Sequence, residues 1–342
     1  YIYGCLMALV LAYLITPSIM KLSWKIGAID VPRDSRRIHK EPMPRLGGLA
    51  IYIAFIVAGL IMLPLDLPMI QGLFIGGTII IVVGIIDDLY NLPAKAKLVG
   101  QILAASVLVL FGLKVEWATN PLGGMLYLGK LSIPITIFWV VGITNTLNFI
   151  DGLDGLAAGI SAIAAFAMML VNLSLGQING ALVMALLSGA AIGFLPHNFN
   201  PAKIFMGDTG AMFLGFILSA VAVDGAVKSA TAIALIVPIL ALGLPIFDTA
   251  FAILRRFLKG KPIMQADKGH VHHRLIAIGL TQKQAVLYMY FISLGLGVCS
   301  VILARLGIKE AIIALTLVVC MLLISVRYIN ISLEAKKSTH GM

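Results

Sequence analysis

Four short polar strings interrupt a long apolar chain, and three of them carry carboxylates. They are Ile86-Asp87-Asp88-Leu89, the run from Asn145 to Gly155, Phe205-Met206-Gly207-Asp208-Thr209-Gly210 and His270-Val271-His272-His273-Arg274. Each abuts an apolar segment, where an acid is costly to keep, so each is a functional candidate. Together they point to one polar site at the mouth of a helical bundle.

Asn145, Asn148, Asp151 and Asp154 recur at every third position. On a helix this spacing holds them in one slowly drifting stripe, which Gly152 and Gly155 would loosen. Two amides and two carboxylates form an oxygen-only donor set, suited to Mg²⁺ bound through one or two carboxylates plus substrate phosphates, with Mn²⁺ the alternative ion. The bland reading, helix capping, does not need four oxygen ligands at fixed spacing. Asp87 and Asp88 end an apolar run and point about 100° apart on a helix, so they should play different roles. One would face the site while the other orients a neighbour or binds a lysine. Mutual repulsion could bring one of them into the range of a general base. Asp208 precedes an apolar run and could cap that helix, but a helix N-terminus also favours phosphate. Asn198 and Lys203 share its loop.

His270, His272, His273 and Arg274 follow Lys268 in a long polar loop. Zinc ranks below anion binding here, because no His-Glu-x-x-His is present and no cysteine is near. Histidine beside arginine suits phosphate oxygens. The segment from His39 to Gly48 is a basic entrance to the next apolar run, stiffened by Pro42 and Pro44. Its Gly47-Gly48 pair allows close backbone approach, and Arg45 could hold phosphate or serve as a positive-inside anchor. Asp248 lies seven residues before Arg255, roughly on one helix face, as a structural partner or a substrate contact.

The elements that must position these groups are membrane helices. Of the 342 residues 60% are hydrophobic and 12% charged, and the mean hydropathy is +1.04. That balance excludes an ordinary soluble globule. Backbone groups in lipid must bond internally, and the apolar runs lack strand-like alternation, so the fold class is all-α, a polytopic membrane helical bundle. Runs at about 1–20, 47–64, 71–86, 96–113, 132–150, 155–173, 179–196, 209–223, 229–254, 284–304 and 309–326 give about 11 transmembrane helices in one domain over 1–342. Opening at Tyr1 rather than Met, the chain is expected to lack a little N-terminal sequence. Its first run has no charge and no small-residue cleavage site, so it reads as a span rather than a signal peptide. Cys5, Cys299 and Cys320 lie in apolar runs as small hydrophobes, with no disulfide framework.

With the loop after the first span inside, 20 of the 25 Lys and Arg residues fall on the cytoplasmic side. The N-terminus is then outside and the C-terminus inside, and all four polar strings face the cytoplasm. The net charge of +10 is thus a matter of topology, and no nucleic-acid partner is implied. The outer loop 114–131 reads as a short hairpin lying on the membrane.

Taken in order, Pro44-Arg45-Leu46-Gly47-Gly48, Asp87-Asp88, the run Asn145–Gly155, Asn198-x-x-Pro201-Ala202-Lys203-Ile204-Phe205-Met206-Gly207-Asp208 and His270-x-His272-His273 resemble the polyprenyl-phosphate N-acetylhexosamine-1-phosphate transferases. The resemblance runs from about His39 to His273. The histidine string looks like the branch that uses UDP-N-acetylglucosamine and starts wall teichoic acid or O-antigen lipid carriers. The branch that transfers phospho-MurNAc-pentapeptide typically carries adjacent histidines there.

The resemblance implies attack of an undecaprenyl-phosphate oxygen on the sugar-linked phosphorus of UDP-GlcNAc, giving undecaprenyl-diphospho-GlcNAc and UMP. It implies a bacterial cytoplasmic membrane enzyme, compatible with a homodimer, whose active site faces the cytoplasm. Asp208, Asp151 and Asp154 would then serve Mg²⁺ and the nucleotide, Asn198 the uridine side, and Asp87 or Asp88 the lipid phosphate. His272, His273 and Arg274 would hold sugar or phosphates, with Lys95 and Lys97 close enough to bind phosphate. A lipid-linked sugar transporter is the rival of another class. It would place its charges near the midplane on repeated halves, whereas these acids cluster at one face and no repeat is visible. An intramembrane metalloprotease is disfavoured by its missing motif.

Overall fold

The computed structural model describes residues 1–31, 41–119, 125–228, 233–260, 269–306, 309–310 and 312–321. His39, Lys40 and Lys268 lie outside these described residues, as does the end of the run 309–326.

The described chain is a helical bundle. In order come α1 (Ile2–Ile26), β1 (Ile29–Asp30), β2 (Met43–Pro44), α2 (Gly47–Met62), α3 (Pro68–Tyr90) and α4 (Ala94–Leu110). A hairpin of β3 (Trp117–Thr119) and β4 (Met125–Tyr127) follows, then α5 (Ser132–Ile150), α6 (Leu156–Ser174), α7 (Ile178–Asn198) and α8 (Gly207–Lys228). The last part holds α9 (Ile233–Ala241), α10 (Gly243–Leu258), the short α11 (Val271–Ala277), α12 (Gln282–Arg305) and α13 (Ile312–Met321). Among the described residues seven helices are long and apolar enough to cross a membrane, and two shorter ones, α2 and α13, are also apolar. This is an all-α polytopic membrane architecture.

α8 is the axis of the bundle and packs on α2, α3, α5, α6, α7 and α9. Small residues permit that crowding. A Cβ on Gly48 would fall 2.0 Å from the Gly210 nitrogen, and one on Gly84 would fall 2.4 Å from the Thr209 Cα. The backbones of α2 and α3 therefore touch the start of α8, as expected of small-residue contacts between membrane helices. The close approach expected of Gly47-Gly48 is present.

Two differences from the sequence reading have simple causes. The run 229–254 is broken at Leu242 into α9 and α10, because the ring of Pro245 conflicts with the carbonyl four residues earlier, at Ala241. The strand pair β1–β2, with Ile29 opposite Pro44 and Asp30 opposite Met43, was not anticipated, since its partners are separated by a long linker. The hairpin expected within 114–131 is present as β3–β4, antiparallel, with Trp117 opposite Tyr127. Gly123 and Gly124 lie outside the described residues.

Candidate active site

Four segments converge where α3 ends and α8 begins. Phe205 N donates to Pro44 O (2.8 Å), Gly47 N to Phe205 O (2.9 Å) and Gly48 N to Met206 O (2.8 Å), so the entrance to α2 is stitched to the entrance of α8. Gly207 has a φ of +72°, and a Cβ there would meet Arg45 O at 2.1 Å and Asp88 Oδ2 at 2.4 Å. Only glycine fits that turn.

Asp88 holds this junction together. Its Oδ1 accepts from Asp208 N (3.1 Å) and Arg45 Nε (3.0 Å), and its Oδ2 from Thr209 N (3.1 Å) and Thr209 Oγ1 (2.6 Å). Arg45 Nη2 lies 2.9 Å from the same Oδ1, and the Asp88 side chain is 0% exposed. Asp88 on α3 thus caps α8 from outside and neutralises Arg45. Asp208 sits in the first turn of α8 rather than capping it.

Asp87 faces elsewhere, as adjacent helix residues must. Its Oδ1 accepts from Leu92 N (2.7 Å), while its Oδ2 meets Lys97 Nζ at 3.0 Å. Lys97 Nζ also lies 2.8 Å from Asp208 Oδ2. One ammonium therefore bridges two carboxylates, and the Asn148 amide also approaches Asp208.

Beside this cluster opens a cavity of about 770 Å³. Among the sequence candidates, Arg45, Asn148, Asp151, Asp154, Asn198, Asp208 and His273 line it. Asp30, Glu41, Asn91, Asn200 and Gln282 also line it and were not singled out from sequence. Asn200 lies inside the Asn198-x-x-Pro201 string, and Gln282 lies inside the helix-start signature Thr281-x-x-Gln284. That signature forms the capping box of α12. Asp30 and Glu41 carry no local signal.

The expected stripe is not one continuous helical face. α5 ends at Ile150 and Gly155 takes φ +78°, so Asp151 and Asp154 lie on a turn. Asn145 points away and exchanges hydrogen bonds with Gln101 at 2.7 and 3.2 Å. It is a half-buried clasp between α4 and α5, not a cavity residue. Asp154 Oδ2 accepts from Asn200 Nδ2 (3.0 Å) and Ala202 N (3.1 Å), and Asn200 Nδ2 also donates to Gln282 Oε1 (2.9 Å). Asn198 uses both ends of its amide on backbone, Gly155 N (3.1 Å) and Ile204 O (2.9 Å).

Asp151 has no such partners among the described residues. Burial first, then the charges of Asp208, Asp88 and Asp154, push its carboxyl up to about 8. The turn is short of positive charge.

The histidine string forms the start of α11. His272 is 2% exposed, and its ring packs on Gly152, where a Cβ would fall 2.5 Å from Nε2. Burial, then neighbouring His273, push it down to about 4, so the ring is neutral near pH 7. His273 reaches the cavity, 4.2 Å from the His272 ring centre to centre. His270 pairs with Asp248 instead. Arg274 and Lys95 are exposed and do not line the cavity. Asp248, expected to share a face with Arg255, bonds to the histidine string rather than to Arg255.

Residues 70–226 match the family described as Glycosyl transferase family 4. The chain is 42% identical over 321 residues to a protein of Bacillus subtilis (strain 168) named "Probable undecaprenyl-phosphate N-acetylglucosaminyl 1-phosphate transferase", covering 93% of this chain and 88% of that one. It belongs to glycosyl transferase family 4. Other relatives include a "Decaprenyl-phosphate N-acetylglucosaminephosphotransferase" of Mycolicibacterium smegmatis, 38% identical over 83% of this chain and 77% of its own. A "Phospho-N-acetylmuramoyl-pentapeptide-transferase" of Thermoanaerobacter sp. (strain X514) is 32% identical over 75% and 82%. The matched residues 70–226 run from α3 to α8 and include Asp87, Asp88, Asp151, Asp154 and Asp208.

Proposed function

We propose that this protein transfers GlcNAc-1-phosphate from UDP-GlcNAc to undecaprenyl phosphate, releasing UMP, within a single membrane domain of about eleven spans. The N-terminus is outside and the cavity opens to the cytoplasm of a bacterial cell. The observation that carries the reading is the convergence of Asn148, Asp151, Asp154 and Asp208 on one cavity, in a chain 42% identical to a protein named for this chemistry. The cytoplasmic orientation rests on the bias of Lys and Arg to one side.

The donor set suits Mg²⁺. Among the described residues no three His, Cys, Asp or Glu side chains are grouped so as to hold a metal ion, and Mg²⁺ does not require three protein ligands. It binds through one or two carboxylates and completes its shell with water and substrate phosphates. Asp151 and Asp208 would hold it, with Asp154 adjacent but partly committed to Asn200 and Ala202. When bound, the ion would offset the charge of two anionic substrates at the transferring phosphorus.

The remaining work falls to the protein's own groups. A lipid phosphate monoester, with a second pKa near ~6, is already largely dianionic at neutral pH. Nucleophile deprotonation is then a small part of the barrier, and positioning and charge neutralisation are the large part. Lys97, held between Asp87 and Asp208, can swing one of its contacts onto a phosphate oxygen without leaving the site. His273 and Gln282, which line the same cavity, offer side-chain groups to sugar or phosphate.

The test is UMP release with undecaprenyl phosphate and Mg²⁺, comparing UDP-GlcNAc with UDP-MurNAc-pentapeptide. Release from UDP-GlcNAc alone supports the reading, and release only from the muramoyl donor overturns it. A second result separates the two ends of the histidine string. His273→Ala is expected to raise the KM for UDP-GlcNAc by about tenfold, the effect of one lost polar contact. Arg274→Ala, exposed and outside the cavity, is expected to stay within about twofold. The reverse order would mean that α11 presents its other face to substrate.

A further inference from the structure

α11 has seven residues, too few to hold a helix by itself. Its own N-cap residue, His270, makes no side-chain capping bond. Its order therefore comes from elsewhere, and the contacts lead to α10. Asp248 Oδ1 accepts from Val271 N at 2.9 Å, and Asp248 Oδ2 pairs with His270 Nδ1 at 2.9 Å. Seven residues further along α10, Arg255 Nη1 donates to Gly269 O at 3.1 Å. Asp248 does for α11 what an N-cap residue does, but from a neighbouring helix.

The pair is dry. Asp248 is 5% and His270 8% exposed, so water does not compete for the contact. With the carboxylate on Nδ1, the imidazole donates there, which fixes its tautomer and ring plane. That plane is passed on. The rings of His270 and His272 are stacked, 5.8 Å apart and 9° from parallel, and His272 lies 4.2 Å from His273. His272 then rests on Gly152, between Asp151 and Asp154.

We propose that Asp248 is a positioning residue: by holding His270 and the Val271 amide it orients α11, seats His272 on Gly152 and delivers His273 to the nucleotide-sugar side of the cavity. The proposal rests on the reading that this cavity takes a nucleotide sugar. Asp248 does not line the cavity and acts only through the histidines.

The test uses the full-length enzyme. Asp248→Ala is expected to raise the KM for UDP-GlcNAc by about tenfold and leave the KM for undecaprenyl phosphate within about twofold, the pattern of a lost buried contact on one substrate side. Asp248→Asn keeps an oxygen acceptor and is expected to recover most of the loss. Amide exchange at Val271 and Arg274 should quicken in the alanine variant and much less in the asparagine variant. That readout needs no substrate, so it decides the α11 contact even if the wild type proves inactive on UDP-GlcNAc. If the alanine variant does not fold, His270→Ala should give the same one-sided KM change, and adding Asp248→Asn to it should make little further difference. A fall in kcat with both KM values unchanged, additive losses in the double variant, or unaltered exchange would each overturn the proposal.

Discussion

Asp208→Asn is expected to lower turnover by about 10²–10³-fold or more, the range seen when one preorganised electrostatic contact is lost from a transfer site, while the protein still folds. The two halves of this expectation come from different atoms. The backbone of Asp208 is fixed by its N–H on Asp88 Oδ1 at 3.1 Å, and asparagine leaves that bond intact. Its side chain meets Lys97 at 2.8 Å and lines the cavity. Asparagine matches the shape but removes the charge that would face both the ammonium and a divalent cation. Lys97 keeps Asp87 at 3.0 Å, so no buried cation is orphaned. UMP release and a thermal melt on the same preparation check both halves. Near-normal turnover with ordinary Mg²⁺ dependence would remove Asp208 from the metal site. A large drop in melting temperature would show the residue to be structural.

The chemistry of this site was more legible in the sequence than its division of labour. Asn148, Asp151, Asp154 and Asp208 stand out because acids and amides beside apolar runs are few, and all four line the cavity. Asn145 was drawn in by the same spacing, yet a three-residue repeat drifts around a helix, and Gln101 on another helix was there to take it. The adjacent pair Asp87-Asp88 had to split its roles, since neighbours on a helix diverge by about 100°. Which one faced Lys97 depended on where α8 landed, and that was set by three glycines on three different helices. Asp30 and Glu41 reach the cavity through the pairing of Ile29–Asp30 with Met43–Pro44, a contact with no local sequence signature. Arg274 looked like a phosphate ligand by type. The short helix that carries it turns His272 and Leu275 inward and leaves Arg274 exposed.

Asp88→Ala is expected to act in the opposite sense to Asp208→Asn, costing stability before chemistry. The carboxylate accepts from two backbone amides, one hydroxyl and the Arg45 guanidinium, with no exposure of its side chain. Its removal leaves the first turn of α8 uncapped and Arg45 without its counter-charge. Breaking a buried ion pair from one side costs about 3–5 kcal/mol. Asp88→Asn keeps one oxygen acceptor but puts an amide donor in place of the other, among groups that themselves donate, so about 1–3 kcal/mol is expected there. The residue also acts as a unit with Arg45. Arg45→Ala combined with Asp88→Ala should destabilise less than the two single changes added together, because neither charge is then left alone. Thermal melts of the four proteins in one detergent provide the cycle. If Asp88→Ala melts like the wild type while losing turnover, or if the cycle is additive, then Asp88 is not the clamp at the start of α8. Its conjunction with Asp87 would then be chemical rather than structural.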